Sequence, residues 1–223
     1  MSVSRHIIIV AGGTGSRMNS TIPKQFIEIN GKPILAHTIQ KFLNYDKNIN
    51  IIIVSHHDFM NDVLSLLTKY FHDKKIKTCG GGAARFDSVK NGLALLRNEK
   101  GLVGIHDAAR PMVSVHTIKA AFDEAEKNGN GIPVIQMNES IRHSENGNNK
   151  AVDRSHFTIV QTPQCFKLEL IQKAFEQNYK ETFTDDATVL ESIGEKINLT
   201  QGNPENIKIT NPGDLLFAQA ILK

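Results

Sequence analysis

This sequence predicts an α/β fold in which a mostly parallel sheet carries helices on both faces, with a β-arm protruding from it. Three observations predict that class. Short, almost continuous apolar runs recur along the chain at Ile7–Val10, Ile49–Val54 and Leu102–His106, and strands that are apolar on both sides belong to sheets buried on both faces. Segments with helical periodicity separate those runs at βαβ spacing, which stacks the chain as a three-layer sandwich. One polar segment, Met137 to Phe157, breaks the alternation around Asn146-Gly147, the dipeptide that two-residue hairpin turns favour.

The elements follow in order. After the strand Ile7–Val10 and the Asn30-Gly31 turn, Pro33 starts a helix over Ile34–Phe42, because its fixed φ suits a first helical turn. Ile49–Val54 is the second strand, with isoleucine at four of six positions. Phe59, Val63, Leu66, Leu67 and Tyr70 recur at helical spacing. Lys75–Thr78 leads into Cys79-Gly80-Gly81-Gly82, and Val89, Leu93 and Leu96 mark a further helix. Leu102–His106 is a strand ending at Asp107, and Val115–Asn128 is a helix stopped by Gly129. Beyond the arm come a helix over Leu168–Tyr179, one over Asp185–Ser192 capped by Thr184, short strands at Ile197–Leu199 and Ile207–Thr210, and a terminal helix over Asp214–Leu222. A chain of 223 residues accommodates this as one domain over 1–223, with the arm inserted at about 138–157. A lone hairpin is marginal in water, so the arm is expected to pack on something, most simply a second copy of the chain; a solvated surface insertion fits the same pattern.

Composition narrows the function classes. Lys and Arg total 26 against 23 Asp and Glu, an excess too small for a nucleic-acid groove. Cys79 and Cys165 form no C-x-x-C pair, consistent with a reduced, cytoplasmic chain lacking structural zinc. The sequence shows no secretory leader pattern and no apolar run of membrane-spanning length.

Positive charge instead gathers at a glycine turn. Ala11-Gly12-Gly13-Thr14-Gly15-Ser16-Arg17-Met18 follows the first strand, with Pro23-Lys24-Gln25-Phe26 close behind. Three glycines in four positions let backbone N–H groups converge on phosphate oxygens, and Arg17 and Lys24 can neutralise the charge. The spacing is neither G-x-G-x-x-G nor a P-loop; locally, a glycine-rich turn with two solvated cations reads the same way. A second cluster, Gly80-Gly81-Gly82 with Arg85 and Ser88, could approach a flat base. The third is His106-Asp107-Ala108-Ala109-Arg110-Pro111. An aspartate just past a buried strand suits a divalent metal held against phosphate, or the capping of a following turn. His106 has no ligand-spaced partners and reads as structural, and His56-His57 reads as a polar pair without a carboxylate partner. No serine shows a His/Asp relay. Lys208 sits in the predicted strand between asparagine and threonine, either as a site cation or as an edge-strand guard.

These motifs, with Gly81-Gly82, Arg85, Asp87-Ser88-Val89, Val152-Asp153-Arg154, Gln161-Thr162-Pro163-Gln164, Thr184-Asp185-Asp186-Ala187 and Asn206-Ile207-Lys208-Ile209-Thr210, resemble the 2-C-methyl-D-erythritol 4-phosphate cytidylyltransferases of the non-mevalonate isoprenoid pathway. The resemblance covers essentially the whole chain. It implies a Rossmann-like nucleotidyltransferase sheet and transfer of CMP from CTP to a polyol phosphate. It also implies site roles. Ala11, Gly12, Gly13 and Gly15 would wrap the triphosphate, with Arg17, Lys24 and Lys208 as catalytic cations. Gly81, Gly82, Arg85, Ser88 and Ala108 would complete the CTP site, and Asp107 would bind Mg²⁺. In a homodimer, Ser140, Arg154 and Thr162 would serve the polyol phosphate of the partner's site, with Thr184 and Asp185 nearby. Asn138-Glu139-Ser140-Ile141-Arg142 stands where the family commonly has Asp-Thr-[Ile/Met]-Lys, which leaves the acceptor contacts open. Ribitol-5-phosphate cytidylyltransferases share most of these motifs. A CTP-binding dimeric regulator without catalysis would not need all of Arg17, Lys24, Asp107 and Lys208. A dinucleotide oxidoreductase lacks support, because no acidic residue ends the Ile49–Val54 strand.

Overall fold

The computed structural model describes residues 3–13 and 22–222. The first strand, β1 (Arg5–Ala11), pairs in parallel with β4 (Asn50–Ser55) on one side and β6 (Leu102–Asp107) on the other. The strand β5 (Lys77–Gly80) extends the sheet beyond β4. On the far side of β6 lie β11 (Gln164–Lys167), β7 (Asn130–Gln136) and, at the edge, β10 (Thr158–Val160). The short β12 (Leu199–Gln201) pairs with β7 in parallel. Only β10 and β11 run against the other six strands of this sheet.

Alternation along β1 divides the core between two faces. Ile7 and Ile9, with Ile51 and Ile53 of β4, meet α1 (Ile34–Tyr45), α2 (Met60–Phe71) and α4 (Val115–Asn128). Ile8, with Ile52 and Val54, faces the other way onto α3 (Arg85–Ala94), α5 (Leu168–Ala174) and α6 (Asp186–Glu191). A two-residue side-chain period does this without further instruction. The predicted three layers are therefore present, and each face of the sheet is covered by apolar helix stripes. A small hairpin, β2 (Glu28–Ile29) and β3 (Lys32–Pro33), precedes α1. The terminal α7 (Pro212–Ile221) packs with it through Ile29, Ile34, Met112 and Ala218.

The arm segment contains β8 (Arg142–Glu145) and β9 (Asn148–Ala151), antiparallel and joined by Asn146-Gly147 with both residues at positive φ. That backbone matches the right-handed twist of the flanking strands. All eight strand residues are exposed.

Three expectations need correction. Asp185, not Thr184, caps α6: its side chain accepts the Thr188 N–H at 2.9 Å, and a carboxylate one residue later fits the turn better. The helix expected to reach Tyr179 stops at Ala174, because Phe175, Tyr179 and Phe183 leave it to gather around Phe86. Ile207–Thr210 forms no strand; the Ile209 N–H donates to the Ala109 carbonyl at 2.9 Å, tying this segment to the turn after β6 rather than to a sheet edge. Lys208 is thus no edge-strand guard.

Candidate active site

Parallel strands deliver their C-terminal loops to one edge of the sheet. Here β1, β4, β5 and β6 bring together Ala11, Gly12, Gly13, Gly82, Arg85, Ser88, Asp107 and Ala108, and Lys24 and Lys208 complete the walls of the cleft. Gly15 and Arg17 lie outside the described residues.

Gln25, which no motif reading assigned a role, explains how Lys24 reaches this edge. Its buried amide donates to the Ala11 carbonyl at 2.9 Å, pinning the Pro23–Phe26 turn against the end of β1. Lys24 Nζ then lies 3.3 Å from the Ile209 carbonyl. Two long-range ties therefore place a cation on the cleft wall.

The second glycine loop is held by its own helix. Gly81 N–H donates to the Ser55 carbonyl at 2.7 Å. Ser88 Oγ accepts the Gly82 N–H and donates to the Ala84 carbonyl, both at 3.1 Å. A Cβ on Gly82 would fall 2.2 Å from that of Asp87, so the loop closes this tightly only on glycine. With its proton committed, Ser88 Oγ keeps a lone pair for an incoming donor.

Asp107 is the electrostatic centre. Its Oδ2 lies 3.2 Å from Lys208 Nζ and accepts from Arg110 Nε at 3.1 Å; Arg85 Nε stands 3.8 Å from Oδ1. Burial opposes its ionisation, but Lys208, Arg85 and Arg110 outweigh that and hold its carboxyl well below the usual range. Arg85 is itself gripped from behind. Asp186, 1% exposed, takes its Nη1 and Nη2 at 2.8 and 2.6 Å in a two-pronged pair. Burial works against the charge on Arg85, but Asp186 with Asp107 behind it raises the guanidinium above its ordinary value. Burial pushes the Asp186 carboxyl up, with Arg85 opposing.

Asp107 is the one acidic residue on the described cleft wall. Mg²⁺ is commonly held by one or two carboxylates plus substrate phosphates, and the Arg85 Nε contact to Oδ1 is long, at 3.8 Å. That donor set fits a magnesium ion completed by a triphosphate.

The remaining predicted residues sit elsewhere. Thr162 is buried beside Asp107 and His106. Thr184 and Asp185 line a separate small recess beside Arg85 and the Phe86 aromatic cluster. Ser140 and Arg154 are exposed in the arm segment, away from this chain's cleft, with Arg154 Nη1 donating to the Asn138 carbonyl. His106 is fully buried and structural, its pKa pulled down to about 4 mainly by burial. His56-His57 does have a carboxylate partner, contrary to expectation: Asp58 lies 3.3 Å from His56 and 2.9 Å from His57, on the surface outside the cleft. Sequence reasoning gave no role to Asp186 or Asn206. An acid beside Thr184-Asp185 signals nothing about its guanidinium partner 101 positions away.

A mixed sheet with a glycine-walled, cation-rich cleft and a single carboxylate at its carboxyl edge defines an α/β nucleotidyltransferase. The family model described as 2-C-methyl-D-erythritol 4-phosphate cytidylyltransferase matches residues 5–223. The chain belongs to that family. The enzyme of that name from Phocaeicola vulgatus is 43% identical over 223 residues, 99% of this chain and 100% of its own length. The one from Bacteroides fragilis is 44% identical over 218 residues, 98% of this chain and 99% of its own. The crystal structure of the Francisella tularensis enzyme superposes with a TM-score of 0.80 at 32% identity, covering 97% and 99% of the two chains. That of 4-diphosphocytidyl-2C-methyl-D-erythritol synthase from Anaerococcus prevotii reaches 0.84 at 27% identity, over 99% and 98%.

Proposed function

We propose that this chain transfers CMP from CTP to 2-C-methyl-D-erythritol 4-phosphate, giving 4-diphosphocytidyl-2-C-methyl-D-erythritol and pyrophosphate. The observation that carries the reading is the cation ring on Asp107, set between two glycine loops in a chain of this family. The polyol phosphate oxygen attacks the α-phosphorus of CTP, a new P–O bond forms, and the bond to the bridging oxygen breaks as pyrophosphate leaves. The attacking oxygen is already anionic, so no general base is required. Catalysis rests on aligning two anions and neutralising charge on the transferring phosphorus. Lys24 and Lys208 both line the cleft and suit that task, with Arg17 as a further cation of the first loop. Cytosine donates from its exocyclic amine, which suits the spare lone pair of Ser88 and the carbonyls of the second glycine loop. Mg²⁺ held by Asp107 would supply Lewis-acid assistance to the phosphates. Pyrophosphate release with CTP and Mg²⁺ tests the reading; equal turnover with ATP, GTP and UTP, or faster turnover with ribitol 5-phosphate, would overturn it. Asp107→Asn is expected to shift the Mg²⁺ titration to higher concentration, and an unchanged titration removes Asp107 from the ligand set.

The working form we propose is a homodimer in the cytoplasm, its arm reaching the partner's cleft. Support comes from the fully exposed hairpin and from Phe157, Ile159 and Val160, each at least 40% exposed on or beside the edge strand β10. Arg154 and Ser140 would then bind the polyol phosphate of the opposite site. Arg154→Ala should raise KM for the polyol phosphate far more than KM for CTP. Mixing that variant with Lys24→Ala gives dimers in which one site carries both defects and the other neither, so activity should return when subunits exchange. Inactive mixed dimers of folded, dimeric parents would refute action across the interface.

A further inference from the structure

The residues around His106 fix where one proton lies. His106 is fully buried, its ring edge-on to Phe42 with centroids 4.9 Å apart, beside the three cations gathered on Asp107. The buried Thr162 hydroxyl has no acceptor in reach among the described residues other than a nitrogen of this ring, so one ring nitrogen accepts and the ring carries one N–H. Its Nε2 lies 3.1 Å from the Arg110 carbonyl, which can only accept. The proton is therefore on Nε2. Nδ1, 3.0 Å from Thr162 Oγ1, is then an acceptor, and the Thr162 hydroxyl must donate to it. The same oxygen accepts the Asp107 N–H at 3.1 Å.

These bonds make a closed circuit. The Thr162 carbonyl accepts from Asn206 Nδ2 at 2.8 Å, and the Asn206 carbonyl accepts from Arg110 Nη1 at 2.8 Å. Arg110 in turn holds the Asp107 carboxylate. The Asp107 N–H, and the Arg110 guanidinium that joins Lys208 on its carboxylate, are thus held by groups that do not line the cleft wall.

We propose that Thr162 and His106 are positioning residues for the Asp107–Arg110 turn, and that the Thr162 hydroxyl proton is committed to His106 rather than to a substrate phosphate. This rests on reading the cleft as a cytidylyltransferase site, and it departs from the role that family resemblance gives Thr162. The hydroxyl retains acceptor capacity only, which a polyol hydroxyl could use and a phosphate oxygen could not. Small displacements of a charge-stabilising group are costly in rate, so the effect belongs in the chemical step.

Nitrogen-15 NMR of histidine-labelled wild-type protein at neutral pH reads the tautomer directly. The Nε2–H tautomer of His106 is expected; the Nδ1–H tautomer or an imidazolium overturns the proposal. That result stands whatever reaction the enzyme performs, so it separates this proposal from the functional reading. In turnover, Thr162→Val should lower kcat at saturating CTP and polyol phosphate by about tenfold or more with little change in KM for the polyol, and Thr162→Ser should restore it. An unchanged kcat with a raised polyol KM, or a serine variant as impaired as valine, overturns it. If the valine variant does not fold, the tautomer decides.

Discussion

Lys24→Ala is expected to cut kcat/KM by about 30- to 1,000-fold, the equivalent of about 2–4 kcal/mol of lost transition-state stabilisation. Gln25 anchors its turn to the Ala11 carbonyl, so the lysine arrives on the cleft wall without contributing its own side chain to the core. The mutation leaves that anchor intact, and the fold should survive with unchanged circular dichroism and melting temperature. The loss should appear mainly in kcat, because a cation aimed at the transferring phosphorus is worth most when charge develops there. Arginine should rescue poorly, since a planar fork does not reproduce a compact ammonium. A folded alanine variant with wild-type kcat/KM would remove Lys24 from the catalytic set.

The second large effect concerns stability. Asp186→Ala should destabilise the protein by about 3–5 kcal/mol, because it leaves the Arg85 guanidinium without the carboxylate that grips it from behind. In a chain of this size each kcal/mol moves the melting temperature by about 2–4 °C. Asp107 could soften the loss by drawing Arg85 closer than its present 3.8 Å, which would disturb the cleft and lower activity as well. The control is the pair. Arg85→Met with Asp186→Leu removes both charges together, and a buried ion pair replaced by apolar side chains is often close to neutral in stability. The double variant should therefore melt nearer to wild type than Asp186→Ala does, while remaining catalytically impaired. Additive losses in the double variant would show that the pair is not coupled.

Much of the fold was readable from local pattern. The apolar runs at Ile7–Val10 and Ile49–Val54 admit little except buried strands, and Asn146-Gly147 carries its hairpin in two residues. Element ends were harder. Thr184 and Asp185 are both good caps, and Asp185 is selected in part by Gln164, whose amide donates to its carboxylate at 2.8 Å while its carbonyl takes the Ala187 N–H. Those partners lie about twenty positions away, out of reach of any local rule. Ile207–Thr210 looks like a strand by composition, yet its backbone bonds to Ala109 rather than to a sheet neighbour.

The site divides in the same way. By itself the sequence determined the chemistry available: glycine turns that leave room for phosphate and base, lysines and arginines enough to neutralise a triphosphate, and an aspartate at the end of a buried strand. Those follow from residue type and from the rule that parallel strands share one functional edge. Only the tertiary structure decided which charges meet. Lys208 and Arg85 converge on Asp107 from separate segments to join Arg110 of its own turn, and Asp186 reaches Arg85 across 101 positions. Thr162, a polyol-phosphate contact by resemblance, lies buried against His106. Charge pairing and hydrogen-bond direction depend on distances of a few ångströms between remote parts of the chain, and no local periodicity encodes them.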